Sequence, residues 1–416
     1  MKKALLIIAL AALGTLTASA QLFSPHGFRG PNRDGHFPES GLLKSWPQGG
    51  PEKLWENLEL GKGYSSATVV GDRIYITGMT EDQKQETFMA LDLNGKLLYT
   101  TPYGNPWKDN YPETRTTPTI HDGKAFVISG AGDVVCMDIK DGHIIWKVEG
   151  ASVYQSTTGN WGTAECPLVY DGKVIYTPGG NLTTIVALDE NTGKEVWRSK
   201  SLGDKRAYVT PIMIEWKGKR QIVGSTINQV IGVDPDTGEI MWTFGGWVGG
   251  RWENIPPNSA VYHEGRIFFS QGYDIGGYML QLADDMRSVK QVWKNDDLDT
   301  HHGGYVLVDG VIYGSNWKNN TSGDWCAIDW ETGKTLYATA WSGKGKGSIV
   351  YADGLLYCYD ERRGTIGIVV PDGKEFKTVG EVRVDKGSGP FWAHLTLHDG
   401  VLYARHGEAL VASKVK

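Results

Sequence analysis

The feature that most constrains this chain is a repeat. A tight turn followed by an apolar run recurs along it. The first four copies are Asp72-Arg73 before Ile74-Tyr75-Ile76, Asp122-Gly123 before Ala125-Phe126-Val127, Asp171-Gly172 before Val174-Ile175-Tyr176, and Gly218-Lys219 before Ile222-Val223. It returns at Glu264-Gly265, Asp309-Gly310, Asp353-Gly354 and Asp399-Gly400, at a spacing of about 46 residues. A second turn follows inside most units and ends on an aromatic: Asp189 through Gly193 to Trp197, Asp234 through Gly238 to Trp242, Asp138 to Trp146, Asp329 to Tyr337, with a shorter copy from Asp92 to Tyr99. The glycine supplies positive φ, and Asp or Thr before it can bond the turn backbone. Each unit therefore reads as four short strands, and none has the 3.6-residue period of a long helix.

Four strands per unit at this period predict an all-β fold, a β-propeller of eight four-stranded antiparallel blades. The eighth unit stops short of a fourth strand and its Trp. Glu52 to Asn57, carrying Trp55, supplies the missing strand, so ring closure across the termini is expected, with Trp55 in the place Trp197 and Trp242 hold.

Composition agrees. Gly is 55 of 416 residues, near twice the ordinary share, as tight turns require. Charges are mixed in sign and the formal net charge is −6, which gives no basic face for nucleic acid. Lys2-Lys3, the apolar run Ala4 to Leu16 and Ala18-Ser19-Ala20 have the pattern of a signal peptide cleaved after Ala20. The expectation is an exported protein, periplasmic or secreted, with no lipidation cysteine, residues 21–416 forming one domain that acts as a monomer. Cys136, Cys166, Cys326 and Cys358 fall in different repeats and are expected as buried free thiols.

The unit Ala187-Leu188-Asp189-Glu190-Asn191-Thr192-Gly193-Lys194-Glu195-Val196-Trp197 resembles the repeat of the pyrroloquinoline-quinone (PQQ) family of propellers, and the likeness extends over all eight units. Phe28-Arg29-Gly30-Pro31-Asn32-Arg33-Asp34-Gly35 looks like the opening of exported members of that superfamily. The resemblance implies either a quinone-dependent dehydrogenase or a non-catalytic scaffold. The dehydrogenases carry adjacent cysteines and a calcium-binding Glu after a strand. Here there is no Cys pair, and the matching Thr177-Pro178-Gly179-Gly180-Asn181 has no carboxylate. Gly159 to Glu165 resembles the calcium segment but precedes a first strand. The preferred reading is a binding or scaffold module for a small molecule, glycan or envelope protein, with no cofactor assigned. The alternative is a quinoprotein alcohol or sugar dehydrogenase holding PQQ and calcium.

Segments entering the innermost strands line a propeller's channel, and equal phase in a ring means equal height along its axis. That argument gathers Arg115, Trp161, Glu165, Tyr208, Asn254, His302, Lys346, Trp392 and His394 at one channel mouth, as a ligand site mixing aromatics with charge. Glu165 could instead pair with Arg115 or Arg251. His301 and His302, with Asp296, Asp297 and Asp299, could hold a metal. Neighbouring residues on an extended segment should point opposite ways, so no metal site is assigned.

Overall fold

A computed structural model describes residues 26–245 and 255–416. The expected signal peptide and Asn254 lie outside them. Eight four-stranded antiparallel sheets run in chain order. They occupy residues 68–104, 119–148, 168–198, 212–245, 261–295, 305–339, 347–383 and 396–414, here blades one to eight. The helix Gly150–Val153 is a single turn. Blade eight is completed by Glu52–Asn57, which pairs antiparallel with Ala409–Lys414 and sets Trp55 opposite Ala412. The ring is closed as its termini predict.

The core lies between blades. Phe126 and Ile128 of blade two pack with Val169, Val174 and Tyr176 of blade three. Val69 and Ile74 of blade one pack with Tyr403 and Leu410 of blade eight across the closure. Inner strands are thus buried on both faces, as in Lys124–Ile128. Outer strands are the most exposed of each blade: Glu195–Arg198 buries only Trp197.

That one residue is the joint between blades. Trp197 Nε1 donates to Pro235 O in the next blade's turn at 3.0 Å. Its ring lies against Gly238, where an added Cβ would come within 2.4 Å of it. Trp146 repeats this with Glu190 O and Gly193, Trp293 with Trp330 O and Gly333, and Trp55 with Leu93 O and Gly95. Tyr99 substitutes in blade one, donating to Ile139 O beside Gly142. In each case the accepting carbonyl follows the Asp of the turn, whose carboxylate fixes the turn by accepting backbone N–H groups, as Asp189 does from Asn191 and Thr192. Gly238 has φ +75°, so it meets two demands at once, left-handed backbone and no Cβ. Trp242 departs from the expectation. It bonds Gln221 Oε1 of its own blade and covers Gly232.

The axis is filled by the segment that precedes the closing strand. His26 bridges to Ile120, and His36–Phe37 pairs parallel with Tyr351–Ala352 on the inner edge of blade seven. Between them two arginines lie across the channel, 5% and 4% exposed. Arg33 donates to Cys166 O, Pro167 O, Pro211 O and Thr119 Oγ1. Arg29 donates to Ile349 O, Tyr305 O and His394 Nδ1. Burial pulls each guanidinium down to about 10, which still leaves it charged at neutral pH. Inner-strand residues of six blades are thereby tied to two side chains.

Two outcomes test this core. Arg33→Ala strands several buried carbonyls and is expected to cost about 3 kcal/mol in denaturant unfolding, with Arg33→Lys restoring only part because an ammonium cannot fork between them. An unchanged midpoint makes the plug passive. Glu86 joins blades one and two, accepting from Tyr103 Oη, Thr114 Oγ1 and Gly130 N. Burial, opposed by those donors, pushes its carboxyl up to about 7. The folded state thus holds this proton more tightly than the unfolded chain, so its contribution is fully present at low pH and lost as pH rises through about 7. Glu86→Gln should flatten the fall in stability between about pH 5 and pH 8; equal slopes in parent and variant would refute the shift.

Candidate functional site

Above the plug, one face of the ring holds a cavity of about 340 Å³. Of the nine residues singled out by phase, Arg115, Trp161, Tyr208, His302, Trp392 and His394 line it. They come from the segments entering blades two, three, four, six and eight, as equal phase requires. Asn254 lies outside the described residues.

The other two are buried beside the cavity. Glu165 is fully buried and turned away from it. Both its oxygens accept from Thr177 N, and Arg206 stands 3.6 Å away. Its partner is therefore Arg206, and neither Arg115 nor Arg251 is needed to explain it. Burial pushes this carboxyl up to about 7 against the pull of Arg206. Lys346 is 1% exposed, forms an ion pair with Glu361 and donates to Asn320 O. It does not line the cavity itself but holds two residues that do, Glu361 and Asn320.

The wall is aromatic. Trp392 meets Tyr111 at 4.7 Å, Tyr64 at 5.0 Å and His302 at 5.2 Å between ring centroids, and Tyr111 continues to Trp161 at 6.0 Å. Arg115 is steadied by Nη2 donating to Asn110 O and Tyr111 O, while its buried Nη1 has no hydrogen-bond partner. Burial lowers the pKa of this guanidinium, against the opposing pull of Glu86. The plug supplies part of the lining: Phe28 faces the cavity, and Arg29 donates to His394 Nδ1. An arginine can only donate, so His394 carries its proton on Nε2, which donates to His302 O at 3.0 Å.

Several lining residues escaped the phase argument. Tyr64 occupies the same phase in the first unit and could have been found by extending it there. Tyr273, Asn320 and Glu361 belong to a second phase, the loops between the second and third strands of blades five, six and seven. Those loops open on the same face, so phase counted from either strand pair reaches the site. Phe28 carries no repeat signal.

His301 and His302 do not diverge. The chain bends there, with Gly304 at φ +69°, and the two imidazoles lie 4.2 Å apart. The aspartates expected beside them are engaged elsewhere: Asp299 accepts from Asp274 N and Gly276 N, Asp297 from Thr335 Oγ1, and Asp296 pairs with Lys294. Burial is the main cause holding both histidines neutral, His302 down to about 3, with Lys346 adding to it. Glu361 stands at 3.2 Å from His302 Nε2, its carboxyl pushed up to about 6 by burial despite Lys346.

The four cysteines are free and buried, and Cys166 alone lines the cavity. Calcium takes six to eight oxygen donors, and a quinone bound with it adds few. Among the described residues the lining offers one carboxylate, Glu361, already paired with Lys346, while Glu165 faces away. These residues do not fit a calcium–PQQ pair.

The family model for outer membrane protein assembly factor BamB matches residues 44–151 and 84–322. Among curated proteins, the quinohemoprotein alcohol dehydrogenase of Comamonas testosteroni is 27% identical over 167 residues, 37% of this chain and 22% of that protein. The 1-butanol dehydrogenase (quinone) of Thauera butanivorans is 29% identical over 140 residues, 30% of this chain and 21% of that protein. The chain thus spans about a fifth of the length of these relatives. Among solved structures, BamB from Moraxella catarrhalis superposes with TM-score 0.64 at 14% identity, covering 88% of this chain and 99% of that one. The Comamonas testosteroni dehydrogenase gives 0.65 at 12% identity, covering 95% and 82%. Such identities speak for the fold alone. Among the described residues no helix is long and apolar enough to cross a membrane. The family match spans more than half of the sequence, and together with the eight closed blades it makes this chain a member of the PQQ-like β-propeller repeat family.

Proposed function

We propose that this chain is an exported propeller that binds a small organic ligand at its channel mouth, one with a flat ring and an anionic or strongly polar group. The observation that carries the reading is the pairing of an aromatic wall with a half-buried guanidinium whose buried Nη1 has no partner among the described residues. A buried donor left unpaired costs about 1–3 kcal/mol, and an acceptor on a ligand would remove that cost. The aromatic faces offer stacking area, and the cavity size suits a ligand of one or two rings. The plug closes the channel beneath, so the site is a cup with a fixed floor. The binding reading is preferred over quinone dehydrogenation because the donor set lacks the oxygens that calcium and the quinone require.

Titration of intrinsic tryptophan fluorescence tests it, using aromatic carboxylates, acidic and neutral sugars, and PQQ with and without calcium. Saturable quenching by an acidic ring compound is expected. Trp392→Ala or Trp161→Ala should weaken it by about tenfold, and Arg115→Met by at least as much, without lowering the melting temperature. No saturable ligand, or one indifferent to all three substitutions, defeats the reading. Calcium-dependent saturation by PQQ would replace it with the dehydrogenase.

A further inference from the structure

The cavity holds one cluster of ligating side chains whose donor atoms the aromatic wall and Arg115 do not engage. One donor atom from each of His301, His302 and Glu361 lies within 4.8 Å of the other two. His301 Nδ1 and His302 Nε2 are shielded from water and have no hydrogen-bond partner among the described residues. His302 Nε2 stands 3.2 Å from Glu361 Oε2, yet no hydrogen bond forms there. Two imidazoles 4.2 Å apart between ring centroids, each with an unpartnered buried nitrogen beside a carboxylate, leave buried polar atoms unsatisfied. A cation between them would give each atom a partner.

We propose that His301, His302 and Glu361 bind a single divalent transition-metal ion of the zinc class, with the remaining coordination position open to the aromatic cavity. The donor set suits it: two imidazoles and one carboxylate are the ligands of open tetrahedral zinc sites, whereas calcium would want oxygens. Bond lengths of about 2.0–2.2 Å place tetrahedral ligand atoms about 3.3 Å apart. His302 and Glu361 already meet that spacing, and the widest pair need draw in by no more than about 1.5 Å.

The surroundings are built to hold the ligands. Tyr273 Oη lies 2.8 Å from His301 Nε2, so this nitrogen can carry the ring proton and leave Nδ1 free for the metal. Lys346, bonded to Asn320 O, grips Glu361 Oε1 and leaves Oε2 toward His302. The carboxylate and the ammonium cancel, so a bound divalent ion keeps its full charge and favours an anionic donor in its open position. That is the ligand class argued for Arg115, reached from an independent set of atoms. The metal site itself does not depend on the ligand reading.

The test uses the chain without a polyhistidine tag, stripped with chelator and titrated with Co²⁺ alone. The expected result is one equivalent bound, with visible absorption of tetrahedral strength that Zn²⁺ abolishes. His302→Ala and Glu361→Gln should each weaken Co²⁺ binding by at least about 100-fold, while the exposed His143→Ala leaves it unchanged. Thermal melting identifies any variant that does not fold. If His302→Ala is among them, His301→Gln and Glu361→Gln decide the matter. Absence of saturable binding at one equivalent, or equal affinity in the folded variants, overturns the site. No organic ligand enters this experiment, so its failure would leave the aromatic cup standing, and failure of the cup would leave the metal.

Discussion

Everything in this molecule depends on how one blade seats on the next, and the seat is an aromatic ring on a glycine. An indole from one blade's outer strand lies flat on the turn of its neighbour, with its N–H on the carbonyl just after the turn's Asp. The contact is geometric before it is energetic. A side chain on that glycine would collide with the ring, and a turn without its Asp would not aim the carbonyl. Repeating the seat fixes the rotation between blades, and the rotation fixes how many close a circle. The degenerate joints fall where other contacts take over, as at Trp242, which turns inward to Gln221.

A closed ring creates a second problem at its centre. Inner strands bring carbonyl oxygens toward the axis, where their neighbours across the channel are equally polar and water is scarce. Arg29 and Arg33 answer this with forked donors that reach several blades each. The same filling decides where a ligand can go. With the axis occupied, binding is confined to the mouth, where entering loops and second-to-third strand loops bring their side chains together.

What the sequence shows follows from which forces are local. Turn chemistry repeats every unit, so Asp189, Gly193 and Trp197 reveal blade, joint and closure without coordinates. Phase along the repeat placed Arg115, Trp161, Tyr208, His302, Trp392 and His394 at the cavity. It failed for Glu165, whose neighbours Ala164 and Cys166 line the cavity while its own side chain turns the other way to Arg206. Alternation, not phase, failed for the histidine pair, because a bend at Gly303-Gly304 replaces the extended backbone that argument assumed. Glu361 was out of reach because nothing local links it to His302. The plug was visible as a motif yet silent about its place, since its partners are carbonyls that every residue possesses.

Closure by the strand carrying Trp55 has a temporal side. Its partner, Ala409–Lys414, lies more than 350 residues further along the chain, so a blade edge made early is paired late. Until then the growing array carries open strand edges at both ends and an axis with unsatisfied carbonyls. Such a species is prone to pair with another copy of itself. The contact is also among the least local the chain can form, which makes it slow to find. Ring completion is therefore the step at which a chaperone that masks strand edges would matter most, and the step after which the protein becomes resistant to unfolding from either end.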